Sequence, residues 1–170
     1  KRQLRGSKSS PYEGGHRVPL FLHWPAGGFS KGQDVEALAA HIDVLPTLAD
    51  LCKFPKPDKS YDLDGHSLKP LLGGKTKSLR RNYHFLQYHG GAGHKYALGP
   101  YTHSVVLTEK WRLVNTPDKH ELYDIQKDPS QRKNLASQQP KIVNELRQSY
   151  QSFWDRVSQG FKPVAIDIGD

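Results

Sequence analysis

The chain has 170 residues, 25 of them Lys or Arg and 17 Asp or Glu, for a formal charge of +8. An apolar fraction of 35% and a mean hydropathy of −0.73 are low for one compact domain and fit either a loop-rich domain or a piece of a larger protein. The single cysteine excludes an internal disulfide, no apolar run approaches the ~20 residues of a membrane span, and the basic clusters lack the aromatic interleaving of a nucleic-acid surface.

Residues 1–16 read as a charged, Ser-rich loop that closes on Tyr12-Glu13-Gly14-Gly15, where the paired glycines predict a turn with positive φ. No secretory leader is read in its polar start, and the absence of Met suggests a chain that does not begin at a natural start codon, unless an initiator Met has been removed. Val18 to Trp24 is a short apolar strand, starting at Pro19 and closed by Pro25. Residues 36–42 are ambiguous, because their alanines favour helix but the segment is short. Asp43 is placed as a helix N-cap with Pro46 in the first turn. Val44, Leu45, Leu48, Leu51 and Cys52 then fall at helical spacing and predict a helix over 44–52, with Cys52 a buried small hydrophobe at its end. After an exposed Pro-containing loop, Asp64-Gly65 makes a turn and residues 67–72 a single helical turn ending at Gly73-Gly74.

The glycine- and Lys/Arg-rich stretch 73–81 is the predicted boundary, dividing the chain into 1–75 and 76–170. Beyond it lie four strand-like runs, 83–88, 104–108, 111–115 and 121–125, with Glu109-Lys110 as a hairpin turn and Asp128-Pro129 as a stop. Pro140 opens a helix whose residues Ile142, Val143, Leu146, Tyr150, Phe153, Trp154 and Val157 share one face, ended by Gly160.

Several patterns fail on inspection. Gly73-Gly74-Lys75-Thr76 ends like a phosphate loop, but Lys69 stands where that motif needs glycine. Gly65-His66-Ser67 lacks the closing glycine of a nucleophile elbow. His84, His89 and His94 are spaced for neither a helix face nor a strand face, so no metal site is assigned; His89 is kept as a minor substrate contact.

The order of the surviving motifs resembles the sulfatase family. Lys8-x-x-x-Tyr12-Glu13-Gly14-Gly15-x-Arg17-Val18-Pro19, then Trp24-Pro25, is similar to that family's second signature region. His41-Ile42-Asp43 through Leu51 looks like its Asp-x-x-Pro-Thr helix, and Leu63-Asp64-Gly65-x-Ser67 its Asp-Gly-x-Ser loop. Trp111-Arg112-Leu113-Val114, Glu121-Leu122-Tyr123-Asp124, Asp128-Pro129 and Asn134-Leu135-Ala136 resemble its C-terminal hairpin and closing helix.

The resemblance implies an α/β fold: the C-terminal portion of an alkaline-phosphatase-like sandwich, then a small four-stranded antiparallel subdomain packed by a helix. It implies hydrolysis of a sulfate ester, with Lys8 contacting the sulfate and Tyr12, Glu13, Gly14, Gly15 and Arg17 serving structure, Arg17 by pairing with a group of the large domain. It implies a formylglycine nucleophile and a divalent cation, usually calcium, in the complete enzyme. Neither is read in this chain: Ser9-Ser10-Pro11-Tyr12 has Glu13 where the nucleophile motif needs arginine, Cys52 is followed by Lys53-Phe54, and the paired aspartates and the Asp-Asn pair are absent. The expected partners are a sulfated small molecule or glycan and the N-terminal sulfatase segment; nucleic acid and a membrane span are not expected. An extracytoplasmic or lysosomal home follows from the resemblance alone. The chain alone is expected to be inactive. Two alternatives stand beside a C-terminal segment: a binding module for sulfated polyanions, and one chain of a cleaved two-chain sulfatase.

Overall fold

The computed structural model describes residues 4–55, 63–79, 82–87, 100–116 and 118–160. They fall into two compact units, one formed by Lys1–Arg17 with Tyr83–Asp170 and the other by Val18–Asn82.

The first unit is built on an antiparallel meander of β1 (His84–Gln87), β2 (Ser104–Leu107), β3 (Trp111–Asn115) and β4 (His120–Asp124), in that order across the sheet. Period-2 side-chain alternation gives the sheet two faces. Pairing of Phe85 with Val106, Val106 with Leu113 and Leu113 with Leu122 puts these four on one face. There they meet Val143, Leu146 and Tyr150 of the long helix Pro140–Val157 in one apolar cluster. Phe85 stacks on Phe153 with ring centroids 4.6 Å apart. The helix begins with Pro140 in its first turn, as its sequence predicts. Thr108 closes the β2–β3 hairpin, its hydroxyl accepting from the amides of Lys110 (3.2 Å) and Trp111 (2.8 Å). Asn134-Leu135-Ala136 covers the outer edge of β4: the Asn134 side chain accepts from the amides of Leu122 (3.0 Å) and Ala136 (2.9 Å), and the Leu135 amide donates to the Leu122 carbonyl (2.8 Å). The expected subdomain is therefore present, with strand ends shifted by a residue or two.

The opposite face of the sheet carries Arg112, paired in register with Tyr123, and Glu121, paired with Val114. Residues 4–17 interact with this face, including the one-turn helix α1 (Glu13–His16).

The Val18–Asn82 unit is organised around α2 (Val44–Leu51), preceded by a 3-10 turn at His41–Asp43, and the single turn α3 (Lys69–Leu72). Asp43 is fully buried, yet its carboxylate does not cap α2. It accepts from the amides of Ala40 and His66, each at 2.8 Å. The Thr47 hydroxyl donates to the Asp43 carbonyl and accepts from the Leu68 amide at 2.8 Å. A Cβ on Gly65 would stand 1.9 Å from the Ile42 carbonyl oxygen, so glycine is required for this approach. The two motifs thus lock together: Asp43 and Thr47 supply the hydrogen bonds, and Gly65 the clearance.

Two expectations are corrected in this unit. Residues 18–23 join no strand ladder among the described residues; only Trp24 pairs, with Phe29 across the turn. An apolar run makes a strand only when a neighbouring strand takes up its amides and carbonyls. Cys52 is exposed rather than buried, because it lies just past Leu51, the last buried residue of α2. Among the described residues no helix is long and apolar enough to cross a membrane.

Candidate functional site

The site is the loop that carries Lys8. Lys8 is exposed, on a turn closed by the Ser10 amide donating to the Ser7 carbonyl (2.9 Å) and the Ser7 amide donating to the Ser10 hydroxyl (3.2 Å). Ser9 adopts φ 68° and Gly6 φ 85°, so the backbone reverses sharply on both sides of the lysine.

Upstream, the Arg5 guanidinium lies 3.8 Å from the centre of the Tyr12 ring and donates to the Tyr12 (3.0 Å) and Tyr123 hydroxyls and to Glu121 (3.3 Å). Glu121 also accepts from the hydroxyls of Tyr12 (2.9 Å) and Tyr123 (2.7 Å), and from Lys119 (2.7 Å). Burial alone would push its carboxyl up; the bonds from Lys119, Tyr123 and Tyr12 with the charge of Arg5 outweigh it and bring the carboxyl down to about 2. Burial and the bond to Glu121 push the Tyr123 hydroxyl up.

Downstream, Glu13 is 1% exposed. Its carboxylate accepts from Arg112 Nε at 2.6 Å, and its amide donates to Gln131 Oε1 at 2.8 Å. Arg112 also donates to the carbonyls of Thr108 and Trp111. His16 Nε2 is 3.9 Å from Glu13, and burial, aided by Arg112 and opposed by Glu13, pushes the imidazole below its ordinary value.

Between the anchors, Gly14 and Gly15 press on the loop's own backbone. A Cβ on Gly14 would lie 2.4 Å from the Gly6 carbonyl oxygen, and one on Gly15 2.1 Å from that of Ser10. Both sit in α1 and are not among the positive-φ residues, so the expected reason for them is corrected: they provide clearance, not left-handed backbone. Arg17 Nη1 lies 3.8 Å from the Glu13 carboxylate, four residues back in its own motif.

Lys8, Tyr12, Glu13, Gly14, Gly15 and Arg17 thus share one short segment, while His89 and His94 lie outside the described residues. Sequence reasoning missed Arg5, Arg112, Glu121, Tyr123 and Gln131 as partners of the loop. The conspicuous Trp111-Arg112 and Glu121-Leu122-Tyr123 motifs held the signal, since unpaired charges are rarely placed inside a strand of a small sheet. Among the described residues no group of three His, Cys, Asp or Glu side chains could hold a metal ion.

Residues 7–155 match the profile of a family described as N-sulphoglucosamine sulphohydrolase, C-terminal. The chain is 33% identical over 153 residues to an N-acetylgalactosamine-6-O-sulfatase of Bacteroides thetaiotaomicron, covering 87% of this chain and 29% of that protein. It is 32% identical over 165 residues to human arylsulfatase A, covering 85% and 32% respectively. A solved structure from work on the metabolism of multiple glycosaminoglycans by Bacteroides thetaiotaomicron superposes with a TM-score of 0.70 at 27% identity, over 88% of this chain and 32% of that one. The chain spans about a third of the length of these relatives. A profile match over residues 7–155 of the 170 shows the family: the chain belongs to the C-terminal sulfatase family that N-sulphoglucosamine sulphohydrolase exemplifies.

Proposed function

We propose that the chain is the C-terminal segment of an enzyme that hydrolyses sulfate esters, with residues 1–75 the end of its large α/β domain and 76–170 its C-terminal subdomain. The observation that carries the reading is the Lys8 loop, a free-standing ammonium on a backbone tied down on both sides. In the reaction a sulfate monoester and water give an alcohol and hydrogen sulfate: the sulfur–oxygen bond to the alcohol breaks and water oxygen ends on sulfur. Lys8 donates charge-assisted hydrogen bonds to the sulfate oxygens and offsets their negative charge as that bond breaks. Its compact charge on a flexible stem suits a tetrahedral anion. His89, outside the described residues, is a second proposed substrate contact.

The family resemblance implies a divalent cation and a formylglycine. The described residues offer no metal-binding group, and the exposed Cys52 lies outside the formylglycine pattern. Neither group fits here, so no step is derived through either; both are assigned to an N-terminal sulfatase segment, and the chain alone turns over no substrate. The names of the relatives favour carbohydrate sulfates first and aryl sulfates second.

The test offers a chromogenic aryl sulfate and a sulfated glycosaminoglycan to the 170-residue chain and to the longer protein encoded around it. Turnover by the longer protein alone is expected. Turnover by the short chain would contradict the assignment of the nucleophile elsewhere, and none by either protein with any sulfate ester would overturn the sulfatase reading.

A further inference from the structure

The geometry points to Glu13 as a positioning residue: through Arg112 it fixes where the Lys8 ammonium stands, and it acts on the reaction only by that route. This rests on the reading of Lys8 as the sulfate contact.

Glu13 is too enclosed to meet a substrate. It is 1% exposed, and its carboxylate faces Arg112 at 2.6 Å, Arg17 at 3.8 Å and His16 at 3.9 Å. What it holds is the downstream end of the lysine loop. The upstream end is held by Arg5, and both anchors reach the same sheet, Glu13 through β3 and Arg5 through β4. Gln131 joins the two, its side chain accepting from the Glu13 amide at 2.8 Å and its carbonyl accepting from Arg5 at 3.3 Å. Between the anchors the Gly6 and Ser10 carbonyls rest against Gly14 and Gly15, so a shift of α1 is transmitted directly to the turn bearing Lys8. A lysine stem cannot position its own charge; its Cα must be fixed by the backbone. The four-stranded sheet therefore works in catalysis as the mount for a charge carried by residues 4–17, and the Tyr-Glu-Gly-Gly motif is the mounting.

Misplacing a reacting or binding group by about 1 Å can cost about 100-fold in rate. The test is a double-mutant cycle in the complete sulfatase, reading kcat/KM on an aryl sulfate. Lys8→Ala is expected to lose at least about 100-fold and Glu13→Gln about 10- to 100-fold. In the Lys8→Ala background, Glu13→Gln is expected to lose less than about 2-fold further, because its route is already cut. Equal losses in both backgrounds would overturn the positioning role and leave Lys8 as the sulfate contact. An inert Lys8→Ala would overturn the underlying reading instead. Should Glu13→Gln fail to fold, Arg112→Lys carries the same cycle with the same two outcomes. On the 170-residue chain, hydrogen exchange of residues 5–11 should speed up in Arg112→Lys while β2 and β3 keep their protection; uniform acceleration would also overturn the proposal.

Discussion

Arg5 and Glu121 stand 116 positions apart in the chain and meet at 3.3 Å, with the hydroxyls of Tyr12 and Tyr123 on the same carboxylate. The pair fastens the N-terminal segment to β4 and makes the attachment sensitive to acid. A carboxyl at about 2 in the fold and near 4.5 when unfolded adds stability above pH 4.5 that is lost as pH falls towards 2. His16 acts in the same direction: held below its ordinary 6.5, it favours the unfolded chain as pH drops through 6.5. Thermal melts of Glu121→Gln are expected to start lower at pH 7 and to change less between pH 5 and pH 2 than those of the parent chain. An unchanged pH profile would contradict the network.

Gly15 faces the Ser10 carbonyl at a distance that no Cβ can share. Gly15→Ala should therefore force the Lys8 loop off α1 and lower stability by about 1–3 kcal/mol. Urea unfolding measures the loss, and limited proteolysis should show new cutting near Lys8. Resistance equal to the parent would mean that the loop is not packed as described.

Thr47 is buried, and its hydroxyl is the hydrogen-bond acceptor for the Leu68 amide. Thr47→Val keeps the shape and strands that amide, at a cost of about 1–3 kcal/mol. Faster hydrogen exchange across residues 65–72 is the expected readout, with the four-stranded sheet unaffected.

Phe21 is 89% exposed and Val18 79%, and Leu20, Leu22 and Trp24 of the same run are exposed with them. Val44, Leu45 and Leu48 of α2 are exposed as well. On the proposed reading these surfaces are buried by the N-terminal sulfatase segment. Phe21→Glu should leave the circular dichroism of the 170-residue chain unchanged and reduce its dye binding. In the longer protein the same change should abolish soluble expression; normal yield there would argue that the surface stays exposed.

What was legible in the sequence was local. Val105-Val106-Leu107 and the Trp111–Asn115 run declare strands through their β-branched and aromatic content, and the 140–157 helix through its 3.6-residue apolar repeat. The motif order carries a resemblance to the sulfatase family, which the profile match over residues 7–155 bears out. What could not be read was non-local. The join of Glu13 to Arg112 crosses 99 positions, and no periodicity encodes it. Residues 18–23 look like a strand yet form none here, because pairing is a property of neighbours. Gly14 and Gly15 read in sequence as a positive-φ turn, whereas their place is set by the carbonyls of Gly6 and Ser10, which only the fold brings near.

The most direct measurement of the central claim is kcat/KM of Lys8→Ala in the complete sulfatase, compared with the unaltered enzyme on the same sulfate ester. A loss of at least about 100-fold with an unchanged melting temperature is expected, since Lys8 is exposed and its removal disturbs no packing. Activity within about 2-fold of the unaltered enzyme would contradict it, leaving the anchored loop without a role in holding sulfate.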